Sequence, residues 1–182
     1  MIRTDPKEHL RFARLQSAPG VECMTASSSF QPWHVFHERY TFPTRHSAAA
    51  GWFYRGRSHF MSDGSTSFLE PGEMHRNTSV HKRSEFQVLF IPPKIFEAYA
   101  RELGHRHTPH FNLAQTDSPD VHRAVHEVCL AADEGRLPLE IESKLLSCVR
   151  LLLDFSEQGQ VSHRASDLHQ PVERARRLLR DR

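Results

Sequence analysis

Covalent cross-links have little to work with in this chain. Only three of its 182 residues are cysteine (Cys23, Cys129 and Cys148). They stand far apart and form no Cys-x-x-Cys pair, which argues against a disulfide framework and for a reducing compartment, the cytoplasm. Nowhere does an apolar run approach the roughly 20 residues that cross a bilayer. The first residues, with Asp5, Glu8 and several arginines, lack the apolar stretch of a secretory signal. Net charge is only +2, so the chain as a whole is no electrostatic binder of nucleic acid, and any DNA contact has to be local. Neither a glycine-rich phosphate loop nor a nucleophile elbow occurs. Glu140 and Glu142, two apart on a helical segment, do not face each other and form no acid–base pair. Nothing in the chain reads as catalytic.

What is present has two textures. With 38% hydrophobic and 25% charged residues, the chain has the composition of one folded domain, or of one domain and a fragment of another. Residues 21 to about 92 are rich in Phe, Val, Thr, Trp and Tyr and are broken by turn signals at short intervals. Gly51-Trp52-Phe53-Tyr54 runs into Arg55-Gly56, and Ser58 to Met61 returns. Asp63-Gly64 is a hairpin signal because that pair tolerates positive φ. Ser65 to Leu69 reads as the next strand, closed by Pro71-Gly72. Glu85 to Ile91 is a longer apolar strand, stopped by Pro92-Pro93, which cannot donate ladder hydrogen bonds. Successive hairpins of this size build a sandwich or a small barrel.

Helical periodicity follows. Lys94 to Leu103 predicts a short helix ending at Gly104. Ser118-Pro119 starts a second that runs to about Glu134. A third runs from near Pro138 to about Gln158. Along it Ile141, Leu145, Cys148, Val149, Leu152 and Phe155 share one face at helical spacing. Leu139, Leu146 and Leu153 recur every seventh position on a second stripe. One stripe packs the helix onto its own barrel; the second is either a surface for a partner copy or a face buried within the same chain.

Ser-Phe-Leu-Glu-Pro-Gly-Glu-Met-His-Arg-Asn, residues 67 to 77, and Ser84-Glu85-Phe86-Gln87-Val88-Leu89-Phe90-Ile91-Pro92-Pro93 resemble the sensor domain of AraC-type transcription regulators. In that family a strand ends in a Pro-Gly-Glu-x-His turn, and the last strand runs apolar into proline. Pro19-Gly20-Val21-Glu22 is similar to the family's first strand, His37-Glu38-Arg39-Tyr40 to its His-Glu-x-Tyr strand, and Arg55-Gly56 to its central hairpin. The similarity spans roughly residues 19 to 158. It implies an α+β chain: a cupin-like (jelly-roll) β-barrel followed by two antiparallel α-helices. The division expected is an N-terminal arm (1–18), an effector-binding barrel (19–93), a helical dimerisation region (94–158) and a linker (159–170). Residues 171–182, from Pro171 on, are similar to the opening of the family's helix-turn-helix domain. On that reading DNA is reached only through a C-terminal domain that lies beyond this sequence. Taken alone, the arginines from Arg174 onward either touch phosphate or form a solvated basic tail.

The resemblance implies a small-molecule effector and a homodimer, with no membrane partner and no cofactor. Candidate effector contacts are His37, Arg39, Trp52, Tyr54, Asn77, Phe86 and Val88; the dimer contact is assigned to Leu139, Leu146 and Leu153. Phe86 and Val88 share a face of the last strand, which leans toward an apolar or aromatic effector. The rival reading is a metal-dependent cupin enzyme, an isomerase or dioxygenase. Such a barrel needs two histidines two apart, so that both point to one face, then a Glu and a later His. Aligning His37 with the second ligand leaves Val35 at the first and Thr41 or Phe42 at the Glu position. Only His37 and His75 remain, short of the three protein ligands a catalytic ion wants. Parity raises a further question, because Phe36, Tyr40 and Phe42 form the apolar face here and His37 the other. Either the polar face lines the cavity or the register is off by one. Among the other of the chain's 14 histidines, His105, His107 and His110 read as a solvated loop. His122 and His126, four apart, read as an ordinary helix face.

Overall fold

A computed structural model describes residues 8–30, 32–47, 49–80 and 82–156. Among these residues ten strands form two antiparallel sheets that face each other. The larger takes β1 (His9–Arg14), β2 (Glu22–Ser29), β9 (Ser84–Ile91), β4 (Tyr40–Ser47), β7 (Thr66–Ser67) and β10 (Gln115–Thr116), in that spatial order. The smaller takes β3 (His34–Phe36), β8 (Met74–Val80), β5 (Ala50–Tyr54) and β6 (Arg57–Met61). The described residues also form three helices, α1 (Pro93–Glu102) between β9 and β10, then α2 (Pro119–Asp133) and α3 (Pro138–Leu153). Proline occupies the first turn of each helix, where its missing N–H leaves no hydrogen bond unmade.

The β5–β6 hairpin turns on Arg55 and Gly56, at φ of 48° and 74°. Two successive positive φ angles match the right-handed twist of the flanking strands. Gly51 has a different reason to be glycine. A Cβ there would stand 2.5 Å from Ser79 Oγ and 2.6 Å from Thr78 Oγ1.

The largest core is not inside the barrel. It lies between the outer face of the larger sheet and the helices, and joins Tyr40, Phe42, Phe68, Leu89 and Ile91 to Phe96, Phe111, Val125, Leu145 and Leu152. Phe111 stacks on Phe68 with ring centroids 4.9 Å apart, and Tyr40 packs on Phe96 at 4.6 Å. Burying this aromatic and aliphatic surface supplies the main drive for folding. The three cysteines are free and fully buried in the same core. Burial pushes the Cys148 thiol up, and for Cys129 hydrogen bonding with Cys23, followed by burial, acts in the same direction. Thiols so placed are inert filling.

Three expectations are corrected. His9–Arg14, read as part of an arm, pairs with β2 from His9↔Ser27 to Arg14↔Glu22 as the edge strand of the barrel. His37-Glu38-Arg39 is a bend and not a strand. There the chain leaves the smaller sheet after β3 and enters the larger at β4, so 34–42 is two strands joined by a bend. Leu153 is 1% exposed and packs in the helical core, with Leu146 partly buried against it. Toward its C-terminal end that stripe is a face buried within the chain, because α3 lies against both α2 and α1. Of the three leucines only Leu139, 41% exposed, is open to a partner. The segments 159–170 and 171–182 lie outside the described residues.

Candidate functional site

Between the two sheets lies a cavity of about 440 Å³, within the ~300–1,000 Å³ of small-molecule sites. Strand alternation builds its walls. On β4 the odd-numbered Thr41, Pro43 and Arg45 face inward, continuing Arg39 and His37 of the bend. The even-numbered Tyr40 and Phe42 belong to the helical core. On β9, Phe86, Val88 and Phe90 line the cavity, and Leu89 and Ile91 face the helices. Met24 of β2 and Leu10 and Phe12 of β1 extend the same wall, and Trp33, Val35, Trp52, Met61, His75 and Asn77 close the opposite side. The polar-inward alternative for this strand is therefore the one that holds from Arg39 to Arg45.

All the candidate effector contacts except Tyr54 line this cavity. Tyr54 shares a strand face with Trp52 but sits where the barrel closes. Its hydroxyl donates to Glu73 Oε2 and accepts from the Glu70 amide at 3.2 Å. Burial and that carboxylate push the phenol well above its ordinary range. Arg55 binds both Glu73 oxygens, at 2.8 and 2.9 Å, and reaches Glu70 at 3.1 Å. Thus the Pro-Gly-Glu turn supplies a plug of ion pairs to the barrel end, and Tyr54 belongs to the plug.

Sequence reading missed Trp33, Thr41, Pro43, Arg45, Met24 and Phe90 as lining residues. The two-residue step was the available signal: it carries Arg39 through Thr41 and Pro43 to Arg45, and Phe86 through Val88 to Phe90.

His37 and His75 meet across the cavity wall with ring centroids 5.3 Å apart, and His37 packs edge-on to Phe90 at 5.2 Å. Burial, reinforced by the neighbouring His37, lowers His75 from 6.5 to about 4; burial and then Arg39 lower His37. Both rings are neutral at pH 7. His75 Nδ1 is buried without a regular hydrogen bond, while the backbone of Glu73 in the preceding turn favours the charged ring and offsets part of that lowering. Among the described residues no group of three or more His, Cys, Asp and Glu is placed to hold a metal ion. The donor set in the cavity does not fit one.

Arg39 binds Glu22 at 2.7 Å and lies 4.9 Å from the centroid of Phe90. Hydrogen bonding from Arg39 is the strongest influence on Glu22 and holds its carboxyl below the usual range. Arg45 is 7% exposed, with its guanidinium 5.6 Å from the centroid of Phe86. Trp52 donates its indole N–H to Gln115 at 3.1 Å, and the Asn77 side-chain carbonyl accepts from the Trp33 amide at 2.8 Å.

Directly behind this wall, a polar seam joins the sheet to α2. Gln87 Oε1 accepts from His46 Nε2 at 2.9 Å and from His126 Nδ1 at 2.8 Å. His122 Nε2 donates to the Arg45 carbonyl at 3.2 Å. The His46 ring lies 5.0 and 4.9 Å from those of His122 and His126. The two helix histidines are thus not a plain solvated face.

The model of the AraC-like ligand binding domain matches residues 24–149. No curated protein matches the chain's sequence. In structure, the chain is similar to the AraC-like transcriptional activator CuxR, with a TM-score of 0.61 at 12% identity over 96% of this chain and 80% of that one. KdgF from Halomonas sp. aligns with a TM-score of 0.41 at 15% identity, over 50% of this chain and 84% of its own. A cupin 2 conserved barrel domain protein from Salinispora arenicola aligns at 0.39 and 16% identity, over 50% and 83%. These two likenesses are too slight to bear on function.

Proposed function

The chain belongs to the AraC-like ligand binding domain family, and from that premise we propose that it senses a small molecule in the barrel and controls a DNA-binding half elsewhere in its regulator. The observation that carries the reading is the hollow barrel itself. A cavity of about 440 Å³ separates two sheets whose stabilising core lies outside, under the helices. A fold whose own side chains leave a cavity between the sheets gives up packing energy, and an effector that binds there recovers it. β4 and β9 carry cavity residues on one face and helix contacts on the other, so occupancy bears on α2. The effector has to bind one arrangement of barrel and helices better than another, since equal affinity shifts nothing.

Within this proposal two copies pair through the exposed leucines around the α2–α3 connection, Leu130, Leu137 and Leu139 (41%, 74% and 41% exposed). The role is binding and not turnover, consistent with a cavity in which, among the described residues, His37 and His75 are not joined by a third metal-ligating group.

Thermal melting against a panel of small organic compounds tests the reading. A compound at 100 times its Kd adds about 2.7 kcal/mol to stability and raises Tm. Val88 pairs with Met24 on one side and Pro43 on the other, so Val88→Trp fills the middle of the cavity and should abolish the rise while leaving the fold intact. Compounds that stabilise wild type and this variant alike would bind elsewhere, and the sensing role would fall.

A further inference from the structure

We infer that the effector is a neutral molecule with a flat, apolar body and one head group that both gives and receives hydrogen bonds, a phenolic hydroxyl being the simplest, seated on His37, His75 and Asn77. This rests on the sensing reading above and narrows it.

The two walls of the cavity differ. Toward the larger sheet Met24, Phe86, Val88 and Phe90 form one apolar cluster, with Leu10 and Trp33 packed on it. On the smaller sheet β8 alternates: Met74, Arg76 and Thr78 are exposed, while His75 and Asn77 turn inward and line the cavity. On the neighbouring strands Val35 stands opposite His75 and Trp52 opposite Asn77, so the polar pair is bordered by apolar surface. His37 completes it, its ring centroid 5.3 Å from that of His75. Aromatic rings on both walls, Phe86 and Phe90 on one and Trp52 on the other, favour a flat body between them.

Most donors in the rest of the lining are already committed. Trp52 gives its indole N–H to Gln115, and that of Trp33 is enclosed in the wall. Thr41 donates to the Arg39 carbonyl at 3.0 Å and Ser67 to Met61 Sδ at 3.1 Å, so these hydroxyls can only receive. Arg39 binds Glu22, Arg45 is engaged within the wall, and the exposed Arg76 lies 5.1 Å from the ring centroid of Phe53. One amide and two imidazoles are left. Asn77 spends its carbonyl on the Trp33 amide at 2.8 Å, which fixes the orientation of the group and leaves its two N–H bonds. Of the His75 nitrogens Nδ1 is enclosed, and Nε2 is left to the cavity. Each neutral imidazole carries one N–H and one bare nitrogen. The strip therefore presents donors and acceptors together and no charge, and a hydroxyl uses both. A carboxylate only receives, and would lose its hydration against neutral groups. An ammonium finds no Asp or Glu among the described lining residues. A wholly apolar ligand would bury the strip unpaired.

Four naphthalenes that share one body decide the point by calorimetry and thermal melting: 2-naphthol, 2-methylnaphthalene, 2-methoxynaphthalene and 2-naphthoate. The naphthol should bind on the order of tenfold tighter than the methyl compound, whose substituent is the same size. Transfer from water alone would favour the methyl compound. The ether, which receives but cannot give, and the charged naphthoate should each fall below the naphthol by at least about threefold. In His75→Phe and in Asn77→Leu the preference for naphthol over its methyl analogue should shrink to within about threefold, by weakening the naphthol alone. A loosened fold would weaken both ligands and leave their ratio unchanged, and the wild-type comparison stands even if a variant misfolds. A methyl compound or an ether that binds as well as the naphthol would overturn the inference, as would a tighter naphthoate or a preference that survives in either variant. So would failure of all four while another compound of the wider panel binds, an outcome that leaves the sensing role standing. If no compound of either set binds the wild type, the sensing reading itself fails, and this inference with it.

Discussion

Lowering the pH from 7 to 5 should destabilise this domain through His75. The imidazole titrates near 6.5 in an unfolded chain and at about 4 in the cavity wall, because burial and the adjoining His37 disfavour the charged ring. A depressed histidine means that the unfolded chain binds the proton more readily. Its contribution is therefore complete above pH 6.5, declines as pH falls below that value, and levels off below about 4. At about 1.4 kcal/mol per tenfold change in proton affinity, the full effect is roughly 3 kcal/mol, with about 2 kcal/mol lost between pH 7 and 5. His37 and His46, also lowered by burial, add in the same direction. Glu22 and Glu73, lowered below the ordinary 4.5, act only at more acid pH, so this window isolates histidine. Urea denaturation of wild type and His75→Phe at pH 7, 6 and 5 measures it. The variant should lose less stability on acidification, by about 2 kcal/mol. Equal slopes in the two proteins would refute the assignment, as would an NMR titration placing the His75 midpoint near 6.5.

Two further outcomes follow from packing. Gln87→Leu leaves the N–H groups of His46 and His126 without their shared acceptor; it should cost about 2 kcal/mol in chemical denaturation, and a loss under 0.5 kcal/mol would mean that water replaces the amide. Leu153→Glu puts a charge into the helical core and should prevent folding, as circular dichroism would report, whereas Leu139→Glu should leave a folded chain.

The parts of the fold that were legible in the sequence are those fixed by local chemistry. Arg55-Gly56 had to be a turn because the hairpin needs positive φ, and Pro92-Pro93 had to end β9 because it cannot continue a ladder. Ser118-Pro119 likewise announced α2. The departures arose where distant residues decide. His37–Arg39 bends because the chain passes between sheets there, and the periodicity of one strand carries no sign of that. Leu139, Leu146 and Leu153 keep a regular spacing, but whether the stripe meets another copy or its own α2 depends on how α3 is laid down. Trp52 and Tyr54 have the same parity, yet Glu73, nineteen residues on from Tyr54, takes one of them into the end plug. His46 is seventy-six residues from His122, and only the folded chain brings their rings to 5.0 Å.

The division of labour along β4 and β9 sets how this sensor can be retuned. Arg45, Val88 and Phe86 line the cavity, whereas their sequence neighbours Thr44, Leu89 and Gln87 face the helical side, where Leu89 packs in the core and Gln87 holds α2. New specificities are therefore reachable by exchanging alternate side chains on two strands, leaving the intervening ones, and with them the foldability of the whole, untouched.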